Sequence, residues 1–508
     1  MKRILFVTSI LLCTQVVFAQ LYHSSVYSFQ KGGKFYNTFE SIDSTMVTER
    51  FKKISTYTTL EFTNHKTPKS YLRLSPLFQA QVGYDSQQKH ITNATGIGIF
   101  LDAKWNDKLS AFAKVYQENG LYASYTDSVI KKTGMMPYAG FAHSLATGRY
   151  YAWNNSFGIA YDSKKFFKAT LANDKIFIGH GYRSLLMSNN ANSFPFLKLE
   201  LKVLKFKYQS IFANMYDVRL SNQTFRNAKN KYAAIHYLTY QIHRKLELSV
   251  FEAIMFQPRT DKGFAYDVNY LNPIIFYRPV EYSLGSTDNA IVGGSLNWNI
   301  NKHMSFYAQL VLDEFLLSEV KARKGWVDNK QALQVGSYSN FNIGKHHFSV
   351  LAEFNYLRPF IYSHKNTIQN YTNYGISLTH PYNSNFYEAL VQVKYRSNKN
   401  FQLSAIASYS YIGYDTSKTV SFGQNINASY DYRVRYNTFY DGNYVGQGLS
   451  TKQIIVQLNA VYCLNRHNNT FINAALQARA SSNLRGKSIG FYPSIGISTL
   501  IFKEAGIY

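Results

Sequence analysis

The sequence predicts an all-β protein, a transmembrane antiparallel β-barrel that is exported from the cytoplasm. Three observations support this prediction. The N-terminus is typical of a secretory signal, stretches of about ten residues alternate apolar and polar side chains, and Phe, Tyr and Trp make up 17% of the chain, with 43 tyrosines among them. Tyrosine joins an apolar ring to a polar tip, which suits the boundary between lipid and water. Beyond the N-terminus, no stretch approaches the roughly 18 consecutive apolar residues of a membrane-spanning helix.

Residues 1–19 have the features of a secretory signal peptide. Lys2 and Arg3 precede a short apolar run, and the sequence Val-Phe-Ala comes directly before the expected cleavage site. A lipoprotein signal that uses Cys13 is the weaker alternative, because Cys13 lies early and lacks the small residues expected before it. Removal of the signal leaves Cys463 as the single cysteine. The exported chain can therefore form no intramolecular disulfide, and it has no Cys/His cluster for zinc.

Alternation with a period of two residues indicates the barrel strands. In 401–411, the odd positions carry Phe, Leu, Ala and Tyr, whereas most even positions carry Ser or Gln. A run of about ten such residues matches a tilted strand that crosses a membrane. The same pattern occurs in 304–313, 348–357, 389–396, 454–465 and 471–479. A soluble all-β sandwich with polar outer faces is the alternative that this periodicity leaves open.

Connections of two lengths separate these segments: 340–345, 396–400 and 466–469 are short, whereas 357–375 and 411–431 are long. Short turns at one end and long loops at the other are typical of outer-membrane barrels. Barrel closure also pairs the backbone amides within the hydrocarbon. We expect about 18 strands in residues 71–508, with 16 as the alternative. Residues 20–70 alternate poorly and predict an N-terminal periplasmic arm, and we expect small helical or loop elements on the periplasmic side.

The chain is strongly basic, with a formal net charge of +26 at pH 7. A positive field attracts anionic partners, which for an exported protein would be outer-membrane lipid phosphates or an acidic surface polysaccharide. A purely solubilising role for the charge is the alternative. No groove-reading helix or RNA-binding motif indicates a nucleic-acid partner. No HxxxH or HExxH pattern indicates a metal site, and no other cofactor is expected.

Four segments carry more specific patterns: NDKIFIGHGYRSLLMSNNANSFPFLKLE (173–200), NYLNPIIFYRPVEYSLGSTDNAIVGG (269–294), YAQLVLDEFLLSEV (307–320) and YGISLTHPYNSNFYE (374–388). Together they resemble the capsule assembly Wzi family, and they are most similar to its gliding-motility RemB-like outer-membrane proteins of Bacteroidota. The resemblance extends over residues 70–508 and implies an 18-stranded barrel with helical elements on the periplasmic side. It also implies lectin-like retention of exported polysaccharide at the cell surface, with a role in gliding.

The sequence GHGYRS, which begins at Gly179, is the densest of these motifs. It lacks the lysine of a phosphate loop and the flanking glycines of a nucleophile elbow. Gly179 and Gly181 predict a sharp, close-packed turn or strand bulge at the rim or in the lumen. A ligand role is the alternative. Arg183 could pair with the carboxylate of an acidic sugar, and Tyr182 could stack on a pyranose ring, with His180 beside them.

Two further segments contain charged candidates. Tyr277, Arg278 and Glu281 surround the proline of YRPVE, which predicts a strand end or a loop with a salt bridge at the rim. Asp313 belongs to the lumen-facing set of its strand and precedes Glu314. Because adjacent residues of a strand point to opposite faces, these two carboxylates cannot flank one glycosidic bond. We expect them to balance nearby cations instead.

The segment 321–330 (KARKGWVDNK) places four basic residues around one tryptophan. Lys321, Arg323, Lys324 and Trp326 would form a basic, aromatic loop at the surface. Such a loop suits an anionic polysaccharide, and it suits lipid headgroups equally well.

The residue features predict an outer-membrane barrel. Together with the resemblance, which implies the polysaccharide and gliding roles, they predict a non-enzymatic barrel that binds and organises capsular polysaccharide or exopolysaccharide, with support of gliding or adhesion as a further expected role. A passive diffusion channel is the main alternative, because polar inner faces would also line an open pore. A lipase or deacylase would need a Ser/His/Asp set at the rim, and we find none. The candidate polysaccharide-binding residues are His180, Tyr182, Arg183, Tyr277, Arg278, Glu281, Asp313, Lys321, Arg323, Lys324 and Trp326.

Overall fold

The computed structural model describes residues 59–60, 70–106, 108–145, 148–218, 228–258, 266, 268–272, 288–397, 401–417, 420–432, 441–465 and 470–499. The predicted signal peptide and nearly all of the predicted N-terminal arm lie outside these residues. Tyr277, Arg278 and Glu281 also lie outside them, so their predicted roles stay predictions.

The wall of the barrel forms where apolar and polar residues alternate. In strand β20 (Phe401–Tyr414), Ser404 and Ser408 are buried on the inner face, whereas Leu403 and Tyr409 are exposed on the outer face. A shift of one residue would exchange the two faces, so this pattern also determines the register of the strand. The period-two pattern predicted from the sequence is confirmed.

The described strands are β1 (Thr59–Leu60), β2 (Tyr71–Asp85), β3 (His90–Trp105), β4 (Leu109–Leu121), β5 (His143–Ser144), β6 (Tyr150–Trp153), β7 (Ser156–Asp162), β8 (Phe167–Asp174), β9 (Phe194–Val203), β10 (Phe206–Asp217), β11 (Lys229–His243), β12 (Leu246–Phe256), β13 (Asn289–Asn299), β14 (Met304–Leu312), β15 (Gln331–Ile343), β16 (His346–Leu357), β17 (Thr372–Asn373), β18 (Ile376–Ser377), β19 (Phe386–Arg396), β20, β21 (Leu449–Asn465), β22 (Thr470–Asn483) and β23 (Gly486–Ser498). The described α-helices are α1 (Ser124–Thr133) and α2 (Leu317–Ala322), and short 3₁₀ helices cover Val268–Leu271, Thr367–Gln369 and Tyr430–Tyr432. Neither α-helix is long and apolar enough to cross a membrane.

Within the described residues, 18 strand positions close into one antiparallel barrel, as the sequence predicted. The first ring strand, β2, pairs with β3 on one side and with the last strand, β23, on the other. At this closure Gln79 lies opposite Ser498, and Gly83 lies opposite Ser494. β6 and β7 both pair with β4 and together occupy one position in the ring. Closure pairs both edges of the sheet, which an open sheet would leave exposed.

The two ends of the barrel differ in the length of their connections. At the end that we call the short-turn end, residues 204–205, 244–245 and 344–345 form two-residue turns between neighbouring strands. At the opposite end, the long-loop end, the long connections include 122–149, 175–193, 313–330, 358–385 and 415–448. Both described α-helices belong to the long-loop end. The predicted helical or loop elements on the periplasmic side stay a prediction. A two-residue turn has no room for a helix, whereas the long connections do.

Apolar residues of the long connections fold inward and form the largest described core. Ile178, Leu185, Leu186 and Met187 of the connection 175–193 are fully buried, in one cluster with Tyr362, Tyr371 and Leu378 of the connection 358–385. Inner-face residues such as Val311 belong to the same cluster. The lumen is therefore occupied by protein at the level of these loops.

Candidate functional site

The connection 175–193, which we call the lumen loop, contains the GHGYRS motif and folds as a closed turn. Ile178 and Met187 form an antiparallel bridge at its base. Inside the turn, the Ser184 hydroxyl donates to the Ile178 carbonyl and accepts from the backbone N–H of Leu186 at 3.2 Å. These local bonds satisfy backbone groups that no barrel strand pairs.

Glu353, on the inner face of β16, anchors the lumen loop to the wall. Its carboxylate accepts hydrogen bonds from the backbone N–H groups of Tyr182 at 2.8 Å and Arg183 at 3.1 Å. It also accepts from the Tyr307 hydroxyl at 2.7 Å and from the Asn355 amide at 3.0 Å. Glu353 is only 4% exposed. Hydrogen bonds to a charged acceptor in a buried position are stronger than neutral ones, so this contact holds the loop firmly.

A polar row on the inner face supplies the remaining anchors. Successive register partners on four neighbouring strands form this row: Gln309, Gln334, Asn355 and Glu388. The Gln309 side chain accepts from the backbone N–H of Leu185 at 2.9 Å and donates to the carbonyl of His180 at 3.1 Å. Because register partners point to the same face of the sheet, the amide and carboxylate groups of this row all face the lumen, at the level of the lumen loop.

The two glycines of the motif permit this close approach. Gly179 and Gly181 have φ angles of 111° and 98°, in the region that favours glycine. A Cβ atom at Gly179 would lie 2.3 Å from the Gln309 amide nitrogen, and one at Gly181 would lie 2.2 Å from a Glu353 carboxylate oxygen. The close-packed turn predicted from the sequence is present in the lumen, but it belongs to a connection rather than to a strand.

The connection 358–385 packs on the lumen loop as a second layer. The hydroxyl of Tyr362 donates to the Leu185 carbonyl at 2.7 Å, and the hydroxyl of Tyr371 donates to the Leu186 carbonyl at 2.9 Å. The Asn190 amide donates to the Ser377 carbonyl at 3.0 Å. The lumen loop is thus held between the wall and a second loop.

The side chain of Arg183 contributes to this buried structure. It is 5% exposed, and its Nε lies 3.8 Å from Glu388 Oε2. His380 Nε2 lies 2.8 Å from the same oxygen. Burial lowers the pKa of His380 to about 4, although the carboxylate beside it acts in the opposite direction. The Arg183 charge also lies over the Tyr182 ring, 5.1 Å from its centroid. These contacts place the Arg183 side chain inside the enclosed lumen, and its predicted role in ligand binding stays a prediction.

Asp313 and Glu314 lie just after β14, at the start of the connection 313–330, and they have separate partners. Asp313 accepts from the backbone N–H of Tyr362 at 2.8 Å, and Glu314 lies 3.1 Å from Lys330 Nζ. The two carboxylates therefore stabilise the loops around them. Among the described residues, no group of three or more His, Cys, Asp or Glu side chains could hold a metal ion.

The basic candidates form a separate set at the surface. Lys321, Arg323 and Lys324 are exposed at the end of α2. Trp326 is half-buried, and its carbonyl accepts from the Arg358 guanidinium at 3.1 Å. The structure thus divides the described candidates into an enclosed set and a solvent-facing set.

A cavity of about 300 Å³ lies in the lumen at the long-loop end, and none of the sequence motifs indicated it. Strands β2, β3, β4 and β23 form its wall, and the connection after β4 covers it. Its aromatic lining includes Tyr116, Tyr122, Tyr125, Tyr138 and Tyr492, and its polar lining includes Gln79, Gln81, Lys114, Glu118 and Asn154. Rings with a few convergent polar groups are typical of a ligand site.

Contacts between neighbouring strands position this lining. Tyr116 crosses Gly96 on β3, where a Cβ atom would lie 1.8 Å from the tyrosine oxygen, and donates to Gln79 Oε1 at 2.9 Å. Lys114 donates to Asn154 Oδ1 at 2.6 Å. The alternation of Lys114, Tyr116 and Glu118 could have indicated one inner face of β4. It could not have indicated that β23 closes the site.

The fold and its occupied lumen define a class of protein: a closed 18-stranded antiparallel β-barrel with inward-folded loops. No protein-family model matches the sequence, and the search of curated proteins found no match. Among solved structures, the chain is similar to Wzi, an outer membrane protein involved in group 1 capsule assembly in Escherichia coli and described as a carbohydrate-binding β-barrel. The TM-score is 0.52, the identity is 12%, and 83% of each chain is covered.

Two other solved structures are similar at lower scores. Pseudomonas aeruginosa OprD has a TM-score of 0.42 and 10% identity, with 84% of this chain and 94% of that chain covered. Acinetobacter baumannii OccAB2 has a TM-score of 0.43 and 11% identity, with 84% of this chain and 97% of that chain covered. At these identities, the similarity to Wzi concerns the barrel fold.

Proposed function

We propose that the protein is a non-enzymatic outer-membrane barrel that binds capsular polysaccharide or exopolysaccharide at the cell surface. The observation that carries this proposal is the lumen, where inward-folded loops leave a tyrosine-lined cavity at the long-loop end. The apolar outer face suits a bilayer, and in such barrels the long loops face outward from the cell. The fold shared with Wzi, which is described as carbohydrate-binding, agrees with this proposal.

The occupied lumen favours a binding protein over a diffusion channel. Glu353 and Gln309 hold the backbone of the lumen loop, and 358–385 packs behind it. A channel with free passage would need an aqueous path through this level. Displacing the loop would break several buried hydrogen bonds at once, each worth about 1 kcal/mol.

The surface set supplies a contact for anionic polysaccharide. Lys321, Arg323 and Lys324 project from the long-loop end, where an exported polymer would arrive. Exposed cations attract a charged polymer over a distance that shortens as salt rises. Binding through these residues should therefore weaken at high ionic strength.

The test is saturable binding of the refolded protein in detergent to polysaccharide from its own cells, at low and high salt. We expect binding at low salt, and a reduction when Lys321, Arg323 and Lys324 are all changed to serine. The matched control changes Lys205, Arg244 and Lys245 to serine, which removes the same charge from turns at the short-turn end. Equal losses of polysaccharide binding in both variants would show that binding depends on net charge alone and not on where the three cations lie.

Conductance in a planar bilayer distinguishes the alternative function. A binding barrel with an occupied lumen should show little steady conductance. Steady single-channel conductance without polysaccharide binding at either salt would reject the proposal and identify a diffusion channel.

A further inference from the structure

Glu118 offers an unused carboxylate to the tyrosine-lined cavity. It lies on the inner face of β4, in register with Gly96 and two residues from Tyr116. Its side chain makes no hydrogen bond or ion pair with the part of the chain that the structure describes. A carboxylate inside a cavity is costly unless something donates to it, so the position is suited to a ligand with hydrogen-bond donors.

A second polar group in the cavity lacks a partner. The hydroxyl of Tyr122 is buried, and no described residue forms a hydrogen bond with it. Almost all buried polar atoms in native proteins have a partner, so a bound ligand or water is expected at such an atom. Tyr122 follows β4 directly and lines the same cavity as Glu118.

The cations near Glu118 are already engaged with the protein. Lys114 donates to Asn154 Oδ1 at 2.6 Å, and Lys175 Nζ lies 4.6 Å from the centre of the Tyr138 ring. Around Glu118, the carboxylate is therefore the group that the described residues leave to accept from a ligand.

Aromatic rings complete the site. Tyr125 and Tyr492 pack edge to face with centroids 4.9 Å apart, and Tyr138 lines the same space. Such rings offer apolar surface to the C–H groups of a sugar ring. The Tyr116 hydroxyl and the Gln81 amide already donate to Gln79 and Ser494, so they fix the shape of the lining.

From this juxtaposition we infer that the cavity is a subsite for a neutral pyranose residue, with two adjacent ring hydroxyls donating to the Glu118 carboxylate and the Tyr122 hydroxyl completing the contacts. The inference rests on the proposed function, because the pyranose would belong to the bound polysaccharide. A uronic acid would place a second carboxylate beside Glu118 and be repelled. Neutral residues would thus enter the cavity, whereas acidic residues would contact the exposed basic set.

The experiment titrates the full-length protein in detergent with the neutral methyl glycosides of glucose, galactose and mannose, and with methyl glucuronide, by calorimetry. We expect at least one neutral glycoside to bind and glucuronide not to bind. Glu118→Gln should weaken neutral glycoside binding about 10- to 100-fold, since bonds to a charged acceptor are lost. Tyr122→Phe keeps the ring and should weaken binding about 3- to 10-fold.

The matched control is Glu319→Gln, which makes the same chemical change on α2 outside the cavity and should leave binding unchanged. Glucuronide binding as strong as neutral binding, or unchanged affinity in Glu118→Gln, would overturn the inference. Folding of each variant is checked by its heat-dependent gel mobility. If polysaccharide binding is unchanged in every cavity variant, the subsite is rejected and the proposed function still stands. Absence of polysaccharide binding in the unmodified protein would reject the proposed function itself.

Discussion

Removal of the Glu353 carboxylate should release the lumen loop while the barrel stays closed. In Glu353→Ala, the backbone N–H groups of Tyr182 and Arg183 lose their acceptor, and so does the Tyr307 hydroxyl. The Asn355 amide loses one bond but still donates to Glu388. The strand itself keeps its ladder, because Glu353 pairs with its neighbours through the backbone. The change therefore acts on loop docking and not on barrel formation.

The magnitude follows from the number of bonds. Two of the hydrogen bonds on this carboxylate join the loop to the wall, from the backbone N–H groups of Tyr182 and Arg183, and each contributes about 0.5 to 1.5 kcal/mol to stability. The bonds from Tyr307 and Asn355 lie within the wall and do not hold the loop. Loss of the two loop bonds should reduce the free energy of loop docking by about 1 to 3 kcal/mol, if they add independently. Since each 1.4 kcal/mol is a factor of about ten, local opening should become about 5-fold more frequent or more.

Hydrogen–deuterium exchange with mass spectrometry measures this opening directly. Peptides that cover 178–187 should exchange about 5-fold faster or more in Glu353→Ala, whereas peptides from β20 to β22 should not change. Ser349→Ala, on the same inner face but nearer the short-turn end, is the control and should leave the lumen loop protected. Unchanged protection of 178–187 in a folded Glu353→Ala barrel would refute the assignment of Glu353 as the anchor.

Two further predictions concern the same loops. Gly181→Ala should lower the thermal midpoint more than Gly148→Ala, because both glycines have positive φ but only Gly181 faces an atom within 4 Å, at 2.2 Å; equal midpoints would exclude a steric role for the close approach. His380 faces Glu388 and Arg183, and burial lowers its pKa from 6.5 to about 4. Below pH 6.5 the imidazole is therefore protonated in the unfolded chain, whereas it stays neutral in the folded protein down to about pH 4. Because the unfolded state binds this extra proton, the free energy of unfolding should fall by up to about 3 kcal/mol between pH 6.5 and 4. His380→Gln should flatten this part of the pH profile in thermal melts, and an identical profile would contradict the burial argument.

The sequence predicted the barrel well because strand formation is a local property. In 401–411, apolar and small polar residues alternate, and the structure places Leu403 outside and Ser404 inside. The strand count followed from chain length and the usual span of a strand with its connection. The sequence pattern did not indicate which connections would contain the described helices α1 and α2, because their residues lie outside the period-two segments.

The GHGYRS motif predicted the shape of its own turn but not the residues that the turn contacts. Gly179 and Gly181 indicated a close-packed turn, and the structure contains one. Its partners, Glu353 and Gln309, lie far along the chain, so nothing in the motif itself could identify them. Arg183 had the chemistry of a ligand contact as well as that of a buried ion pair, and the sequence left both interpretations open.

The candidate cavity depended entirely on tertiary structure. Tyr116, Glu118 and Tyr122 are neighbours in sequence, but the site also needs Gln79 from the first ring strand and Tyr492 from the last.

By itself, the sequence determined the fold class, the strand pattern and the basic character of the surface, because periodicity and composition act through local geometry and total charge. Only the tertiary structure decided which inward-facing residues meet. Register and barrel closure bring together strands from opposite ends of the chain, and long connections fold inward where buried carboxylate and amide groups can satisfy their backbone. These are long-range pairings, and their free energy depends on the complete ring and not on any one segment.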